Sequence, residues 1–451
     1  MEFKIPDEVK KIMSTFQKNN FEIYLVGGAV RDILIKRMVI DWDFTTNATP
    51  EEIQNLFEDS FYENTFGTVG IAPKDPDFKP HEVTTFRKEA GYSDNRRPDK
   101  VEWGESIEDD LTRRDFTLNA IALKPINLKD NEYELIDPYE GQIDLKNKLI
   151  RAVGDPNDRF SEDALRMMRA VRIAAELGFE IEEDTFEAIK MNSKLIQKIA
   201  KERVRDELLK IVASSYPYEG IMMFKNSGLM EEILPELEKT FGVDQKSPQR
   251  HHIYDVGTHS LMSLKNCNST DPITRFATLI HDIGKPQTYK KRNGVTTFYN
   301  HEIAGATIAK NIAERLRFSR KDTGKLIRLV RYHQFTVDEN QTDSAIRRFI
   351  RNVTPEYIDD MLELRRADRI GSGARETSWR TEDFKKKIIE VQKQPFSIKD
   401  LKIDGSDVMK ELNIKPGPKV GEVLKKIFKK VEDKKVENKK SELMKLVREM
   451  E

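Results

Sequence analysis

The decisive stretch of this chain reads Leu25-Val26-Gly27-Gly28-Ala29-Val30-Arg31-Asp32 and, a few residues later, Asp41-Trp42-Asp43-Phe44. The apolar run Glu22–Val26 predicts a short strand, Gly27-Gly28 breaks it, and Ala29–Lys36 predicts a short helix. Consecutive glycines between strand and helix let backbone N–H groups approach a triphosphate. Arg31, one turn into that helix, can offer its guanidinium to phosphate oxygens. A tight turn with nothing bound explains the glycines equally well. Asp41-Trp42-Asp43-Phe44 alternates polar and apolar residues as a half-buried strand does. Two residues apart on a strand, carboxylates leave on one face about 6–7 Å apart along the chain. Such a pair can share divalent cations, as two-metal phosphoryl transfer requires. A solvated strand face is the ordinary alternative for this spacing alone.

Outward from that stretch, residues 6–18 predict an amphipathic helix with Val9, Ile12, Met13 and Phe16 on one face. A helix over Pro50–Glu58 and strands near Gly70–Ala72 and Glu82–Thr85 complete an α+β head ending near residue 150. Helical periodicity then dominates over 158–178, 183–193, 201–214 and 219–226. Gly242–Arg250 reads as a linker, and a second helical region covers about 251–375. The tail opens with Gly405 and the Pro416-Gly417-Pro418 breaker and continues as a Lys-rich helix with an apolar stripe of Leu424, Ile427, Phe428 and Val431. The expected division is a head over 1–150, a helical neck and body over 151–245, a metal-binding helical domain over 246–375, and a basic helical tail over 376–451.

Lys and Arg number 77 against 78 Asp and Glu, a net charge of −1, so any nucleic-acid contact must rest on local basic patches. The single cysteine, Cys267, excludes an internal disulfide framework and a thiolate metal cluster, and reads as a lone buried thiol. No segment approaches the ~20 apolar residues of a membrane span. The N-terminus lacks the apolar core of a signal peptide, so a soluble, cytoplasmic protein without membrane partners is expected.

Three further segments carry chemistry. In Arg113-Arg114-Asp115-Phe116-Thr117-Leu118-Asn119, Asp115 and Asn119 stand four apart; on a helix they would share a face and could read a ribose hydroxyl. In Glu162-Asp163-Ala164-Leu165-Arg166, Asp163 supplies an acceptor and Arg166 donors, which together can mimic a Watson–Crick edge, with Glu162 holding Arg166. Glu202-Arg203-Val204-Arg205-Asp206-Glu207 follows. Each is also compatible with an ordinary helix surface. In order along residues 24–212, the five segments resemble the motifs of the class II tRNA nucleotidyltransferase and bacterial poly(A) polymerase family.

That resemblance implies a polymerase-β-like nucleotidyltransferase head followed by an all-helical neck and tail. It implies Asp41 and Asp43 as catalytic residues and ligands of Mg²⁺. Gly27, Gly28, Arg31, Arg114, Asp115, Asn119, Glu162, Asp163 and Arg166 would bind nucleotide, and Arg203 and Arg205 would meet RNA. The implied reaction adds CMP and AMP from CTP and ATP to the acceptor end of tRNA. Thr84–Pro98, rich in Gly, Asn and Pro, reads as a mobile loop, which in the family accompanies terminal A addition. Glu82 before it is a candidate third carboxylate. The alternatives are an enzyme adding only the final A, or a poly(A) polymerase.

His259, His281-Asp282 and Asp368, with Ile283-Gly284-Lys285 after the pair, are spaced as in HD-domain phosphohydrolases, and His301 and His333 add further candidate ligands. Imidazole and carboxylate together suit Mn²⁺, Ni²⁺ or Fe²⁺. Buried core histidines are the plain alternative. An HD phosphohydrolase or an RNA-binding protein with an inactive head is the rival from another class. The tail lysines Lys425, Lys426, Lys429, Lys430, Lys434, Lys435, Lys439 and Lys440 either line RNA phosphates or form a solvated face.

Overall fold

A computed structural model describes residues 4–450 except 63–66, 74–78, 91–99, 105, 246–252, 293–294, 336, 338–340, 393–397 and 434. Parts of the predicted loop and linker, and Lys434, therefore lie outside the described residues.

α1 (Asp7–Lys18) buries Val9, Ile12, Met13 and Phe16, the predicted face. It leads into β1 (Ile23–Val26), α2 (Gly28–Leu34), β2 (Asp43–Thr46) and α3 (Pro50–Leu56). α3 opens with a capping box between Thr49 and Glu52, which satisfies its free N–H groups. β3 (Ser60–Tyr62), β4 (Thr68–Ile71), β5 (His81–Thr85), β6 (Arg87–Ala90), β7 (Lys100–Trp103), α4 (Ile107–Thr112), β8 (Ala122–Asn127), β9 (Glu132–Ile136) and α5 (Gly141–Asn147) complete the head. Its sheet runs β3-β4-β5-β2-β1-β8-β9. β2 and β5 pair in parallel, and the other neighbours are antiparallel. The head is α+β, as expected. Part of the predicted loop is strand instead: β6 and β7 form an antiparallel ladder from Arg87–Trp103 to Ala90–Lys100.

α6 (Pro156–Glu162) and α7 (Leu165–Leu177) replace the single predicted helix over 158–178. Asp163 is extended, and its carboxylate accepts from the Leu165 N–H at 3.0 Å, a local bond that competes with helix continuation. α8 (Glu183–Asn192), α9 (Lys201–Ala213), α10 (Pro217–Asn226), α11 (Leu229–Ile233) and α12 (Pro235–Glu238) follow. The next helices are α13 (Val256–Lys265), α14 (Pro272–Ile280), α15 (Lys285–Thr288), α16 (His301–Arg315), α17 (Arg320–Tyr332), α18 (Asp343–Val353), α19 (Ile358–Gly371) and α20 (Trp379–Gln392). Arg275 of α14 donates to the Ser214 carbonyl at 3.3 Å, and Arg315 of α16 pairs with Glu236 at 2.6 Å, so this bundle is stapled to the helices before it. One apolar core runs without interruption from Ile5 to Val391. The tail, α21 (Gly405–Glu411), α22 (Pro418–Glu432) and α23 (Lys440–Arg448), has a core of its own around Val408, Ile427, Leu443 and Val447. Cys267 is a buried free thiol.

Candidate functional site

Val26, the last residue of β1, pairs with Asp43, the first residue of β2. Beyond that pair the ladder stops, because Gly27 turns away with φ +69°, a backbone region that penalises any side chain. Asp41 therefore precedes the strand instead of sharing it with Asp43 as expected. It is half-exposed and pairs with Lys79 at 2.9 Å. Burial raises the pKa of Asp43, with Arg114 opposing and Asp41 adding to the rise. Glu82 stands opposite Asp43 across the parallel pair, so its side chain leaves the sheet on the same face. A Cβ on Gly27 would come within 3.1 Å of Arg114 Nη1 and 3.6 Å of Asp43 Oδ2. The double-glycine turn thus leaves room for a guanidinium above the carboxylates.

The arginines are anchored by buried acids. Asp110, fully buried, accepts from Arg113 Nε at 3.0 Å and from Arg114 Nη2 at 2.8 Å. Burial alone would raise its pKa, but the two guanidinium charges hold it at about 2. Asp115 receives Arg169 Nε at 2.7 Å and Asn119 Nδ2 at 3.2 Å. Burial again opposes, and Arg169 and Arg166 hold Asp115 at about 2. Asp115 and Asn119 do not lie on one helix. Asn119 ends a 3-10 turn that starts at Thr117, and the two meet because that turn folds back onto the residues after α4. Arg31 Nη1 donates to Asn119 Oδ1 at 3.1 Å, which ties α2 to the same turn.

Glu162 receives both Arg166 Nη1 and Arg159 Nη2 at 2.5 Å, while Arg166 Nη2 donates to the Arg113 carbonyl at 2.8 Å. Asp163 Oδ2 accepts from Arg203 Nη2 at 2.9 Å. Arg113, Arg114, Asp115, Asp163, Arg166, Arg169 and Arg203 line a cavity of about 260 Å³. Arg205 lies outside it, donating to the Arg317 carbonyl and pairing with Asp206 at 2.7 Å. The sequence reading missed Asp110 and Arg169. Arg169 stands three residues after Arg166 on one helix face, and Asp110 stands three and four residues before the arginine pair; that spacing was the available signal. Chemically, five arginines around two buried carboxylates make a bowl for a polyanion with a hydrogen-bonding edge.

Three family models match successive parts of the chain: the poly A polymerase head domain over residues 23–151, a probable RNA- and SrmB-binding site of polymerase A over 178–241, and the putative tRNA nucleotidyltransferase domain 2 over 295–447. The CCA-adding enzyme of Ligilactobacillus salivarius is 34% identical over 435 residues, covering 95% of this chain and 93% of the relative. The chain belongs to the CCA-adding enzyme family. The CCA-adding enzyme of Levilactobacillus brevis is 36% identical over 310 residues, covering 67% of this chain and 75% of the relative. The crystal structure of the Bacillus stearothermophilus CCA-adding enzyme in complex with CTP superposes with a TM-score of 0.71 at 25% identity, covering 98% of this chain and 96% of that one. The Thermotoga maritima CCA-adding enzyme complexed with tRNA shares the fold, with a TM-score of 0.59 at 20% identity over the full length of both chains. As in the CCA-adding enzymes, the nucleotidyltransferase head implies a divalent metal. Among the described residues no helix is long and apolar enough to cross a membrane.

This CCA-adding family member also gathers all six histidine-cluster residues at one place. His259, His281 and Asp282 form one group with the spacing of metal ligands, and Asp282, His301 and His333 form a second. Asp282 Oδ2 lies 3.2 Å from His281 Nε2 and 3.5 Å from His259 Nε2, while Oδ1 lies 3.2 Å from His301 Nε2 and 3.6 Å from His333 Nε2. Asp368 Oδ1 reaches His259 Nε2 at 3.2 Å. The Nδ1 atoms of His281, His301 and His333 each face a backbone carbonyl, at 2.8, 2.9 and 2.7 Å. In the neutral form of these three rings that arrangement puts the proton on Nδ1 and leaves Nε2 facing the centre. Burial would lower His281, but Asp282 and Asp368 push it up to about 10. Burial would raise Asp282, and Lys285 with His281 holds it well below the usual carboxylate range. Lys285 Nζ sits 2.5 Å from Asp282 and donates to Gln245 at 2.7 Å.

Proposed function

We propose that this chain adds CMP and AMP, from CTP and ATP, to the 3′ end of tRNA without a nucleic-acid template. The observation that carries it is the cavity beside Asp43, where Arg166 is fixed by Glu162 and the Arg113 carbonyl and faces Asp163. A side-chain edge held this rigidly can stand in for a template base, Asp163 accepting and Arg166 donating. Asp41 and Asp43, with Glu82 alongside, are the carboxylates that would hold Mg²⁺. When bound, Mg²⁺ acidifies the RNA 3′-hydroxyl and neutralises charge on the leaving pyrophosphate. The Gly27-Gly28 turn with Arg114 and Arg31 receives the triphosphate, and Asp115 with Asn119 faces the ribose. Arg203 belongs with the nucleotide cavity, Arg205 is the other candidate RNA contact, and the tail lysines either line RNA phosphates or form a solvated face. The division 1–150, 151–245, 246–375 and 376–451 goes with this reading except at its last boundary, because α20 packs on the main core and the separate tail core begins at Leu401.

The test uses tRNA transcripts ending before CCA or after CC, with CTP and ATP given singly and together. Stepwise growth that stops at CCA is expected, and Asp41→Ala is expected to abolish it. Arg166→Ala should loosen base choice more than it slows transfer. Equal loss of CMP and AMP incorporation without misincorporation would remove the template role. Long A-tails on unrelated RNA would favour a poly(A) polymerase, and extension of CC-ended transcripts alone would favour an A-adding enzyme.

A second reading rests on the paired histidine groups sharing Asp282. They fit one or two ions of Mn²⁺, Ni²⁺ or Fe²⁺ and support a phosphohydrolase of the HD type acting on nucleotide or RNA phosphates. Metal analysis of the purified chain and of Asp282→Ala, with phosphate release from the same substrates, tests it. Metal retained by the variant would sink it.

A further inference from the structure

Behind the histidine cluster, where α19 ends and α20 begins, lies a cavity of about 770 Å³ lined by Ile253, Arg369, Arg375, Ser378, Trp379 and the small residues between them. It carries no carboxylate in its lining, in a chain whose overall charge is −1. Trp379 is 62% exposed, with the Arg380 guanidinium 5.2 Å from its ring centroid. Among the described residues the Arg369 side chain donates only to the Arg375 backbone carbonyl, at 3.2 Å, and the Arg375 guanidinium meets no partner. An adjoining cavity of about 400 Å³ shares Arg369 and Thr377 and mixes Arg365, Arg366 and Lys385 with Asp359, Glu363, Glu376 and Glu382, so the acid-free lining is confined to the larger cavity. Arg365 in turn donates to Asp368 Oδ2 at 2.8 Å. An exposed indole with the Arg369 and Arg375 guanidinium groups beside it is the arrangement that takes unpaired bases and their phosphates: the ring stacks on any base, and the arginines follow the backbone.

We propose that this cavity binds single-stranded RNA, one base stacking on Trp379 and the neighbouring phosphates meeting Arg369 and Arg375. A double helix does not fit, because its bases are already stacked and cannot reach the indole. The site stands apart from the nucleotide cavity of the head, and it adjoins the helix that carries Asp368.

The experiment uses the full chain with Trp42→Phe and Trp103→Phe, leaving Trp379 as the only tryptophan, in buffer with EDTA so that neither metal-dependent reading enters the result. Titration with a single-stranded RNA octanucleotide is expected to quench the emission. Arg369→Gln with Arg375→Gln is expected to weaken the binding read this way about tenfold. Trp379→Ala should leave the rate of tRNA extension unchanged. Three results overturn the proposal: no quenching at RNA concentrations that saturate the chain by fluorescence anisotropy, equal quenching by duplex RNA, or equal quenching by inorganic phosphate alone. Because extension is assayed separately, failure here leaves the nucleotidyltransferase reading standing, and loss of extension activity leaves this one standing.

Discussion

Asp110 touches no part of the cavity that would hold substrate, yet its loss should be felt there. It is fully buried between Arg113 and Arg114, and their charges bring its pKa from 3.8 to about 2. At about 1.36 kcal/mol per pKa unit, that difference is a net interaction of about 2 kcal/mol, the attraction of the arginines less the cost of burying the carboxylate. Asp110→Asn keeps the volume and removes the charge. Arg114, whose Nη1 lies over Gly27, then loses its anchor, and so does Arg113, whose carbonyl positions Arg166. If that interaction serves to hold the arginines for the nucleotide, kcat/KM for both CTP and ATP should fall about 30-fold, carried mainly by KM. Steady-state extension of a tRNA transcript ending before CCA measures this, with circular dichroism to show that the fold is kept. A folded variant with kcat/KM within about twofold of the parent would refute the anchoring role.

The same pKa depressions set a pH dependence. Asp110 and Asp115 have folded values below the unfolded 3.8, so their stabilisation is present above that pH and is lost as the pH falls toward about 2. Asp115→Asn should therefore be less stable than the parent by about 2 kcal/mol above pH 4, and the two denaturant midpoints should converge near pH 2; a constant gap across that range would contradict the linkage. Gly27→Ala should strain the turn by about 1–2 kcal/mol and crowd Arg114, raising KM for both nucleotides several-fold in the extension assay. Gly284→Ala would place a methyl 2.1 Å from the His301 carbonyl oxygen and 2.5 Å from the Gly305 nitrogen, both backbone atoms. Metal content by mass spectrometry should fall in that variant while tRNA extension persists.

Reading the sequence located the strand–glycine–helix entrance and the α+β head because local chemistry determines them: an apolar run, a residue that tolerates positive φ, and a capping box. The histidine cluster was legible for a different reason. Imidazoles spread over 75 residues have little cause to be buried together unless they share a centre, and His259 to His333 do share Asp282. What escaped was set by tertiary pairing. Asp41 falls outside β2 because β1 turns away at Gly27, which no pattern within Asp41–Phe44 records. The break at Asp163 depends on one side chain bonding to the next turn, against a helical periodicity that continues through it. Asp110 stands within a helical turn of Arg113 and Arg114, a local signal that an ordinary helix surface also shows, whereas Arg169 meets Asp115 only because α7 folds back onto the residues after α4.

The separate apolar cluster of the tail, from Leu401 to Val447, has a thermodynamic corollary. Because its side chains pack among themselves, cooperativity need not extend from the tail to the rest of the chain, and heating should produce two calorimetric transitions instead of one. Substitutions such as Ile427→Ala would then displace only one of the two endotherms, leaving nucleotide affinity at the other end of the chain untouched.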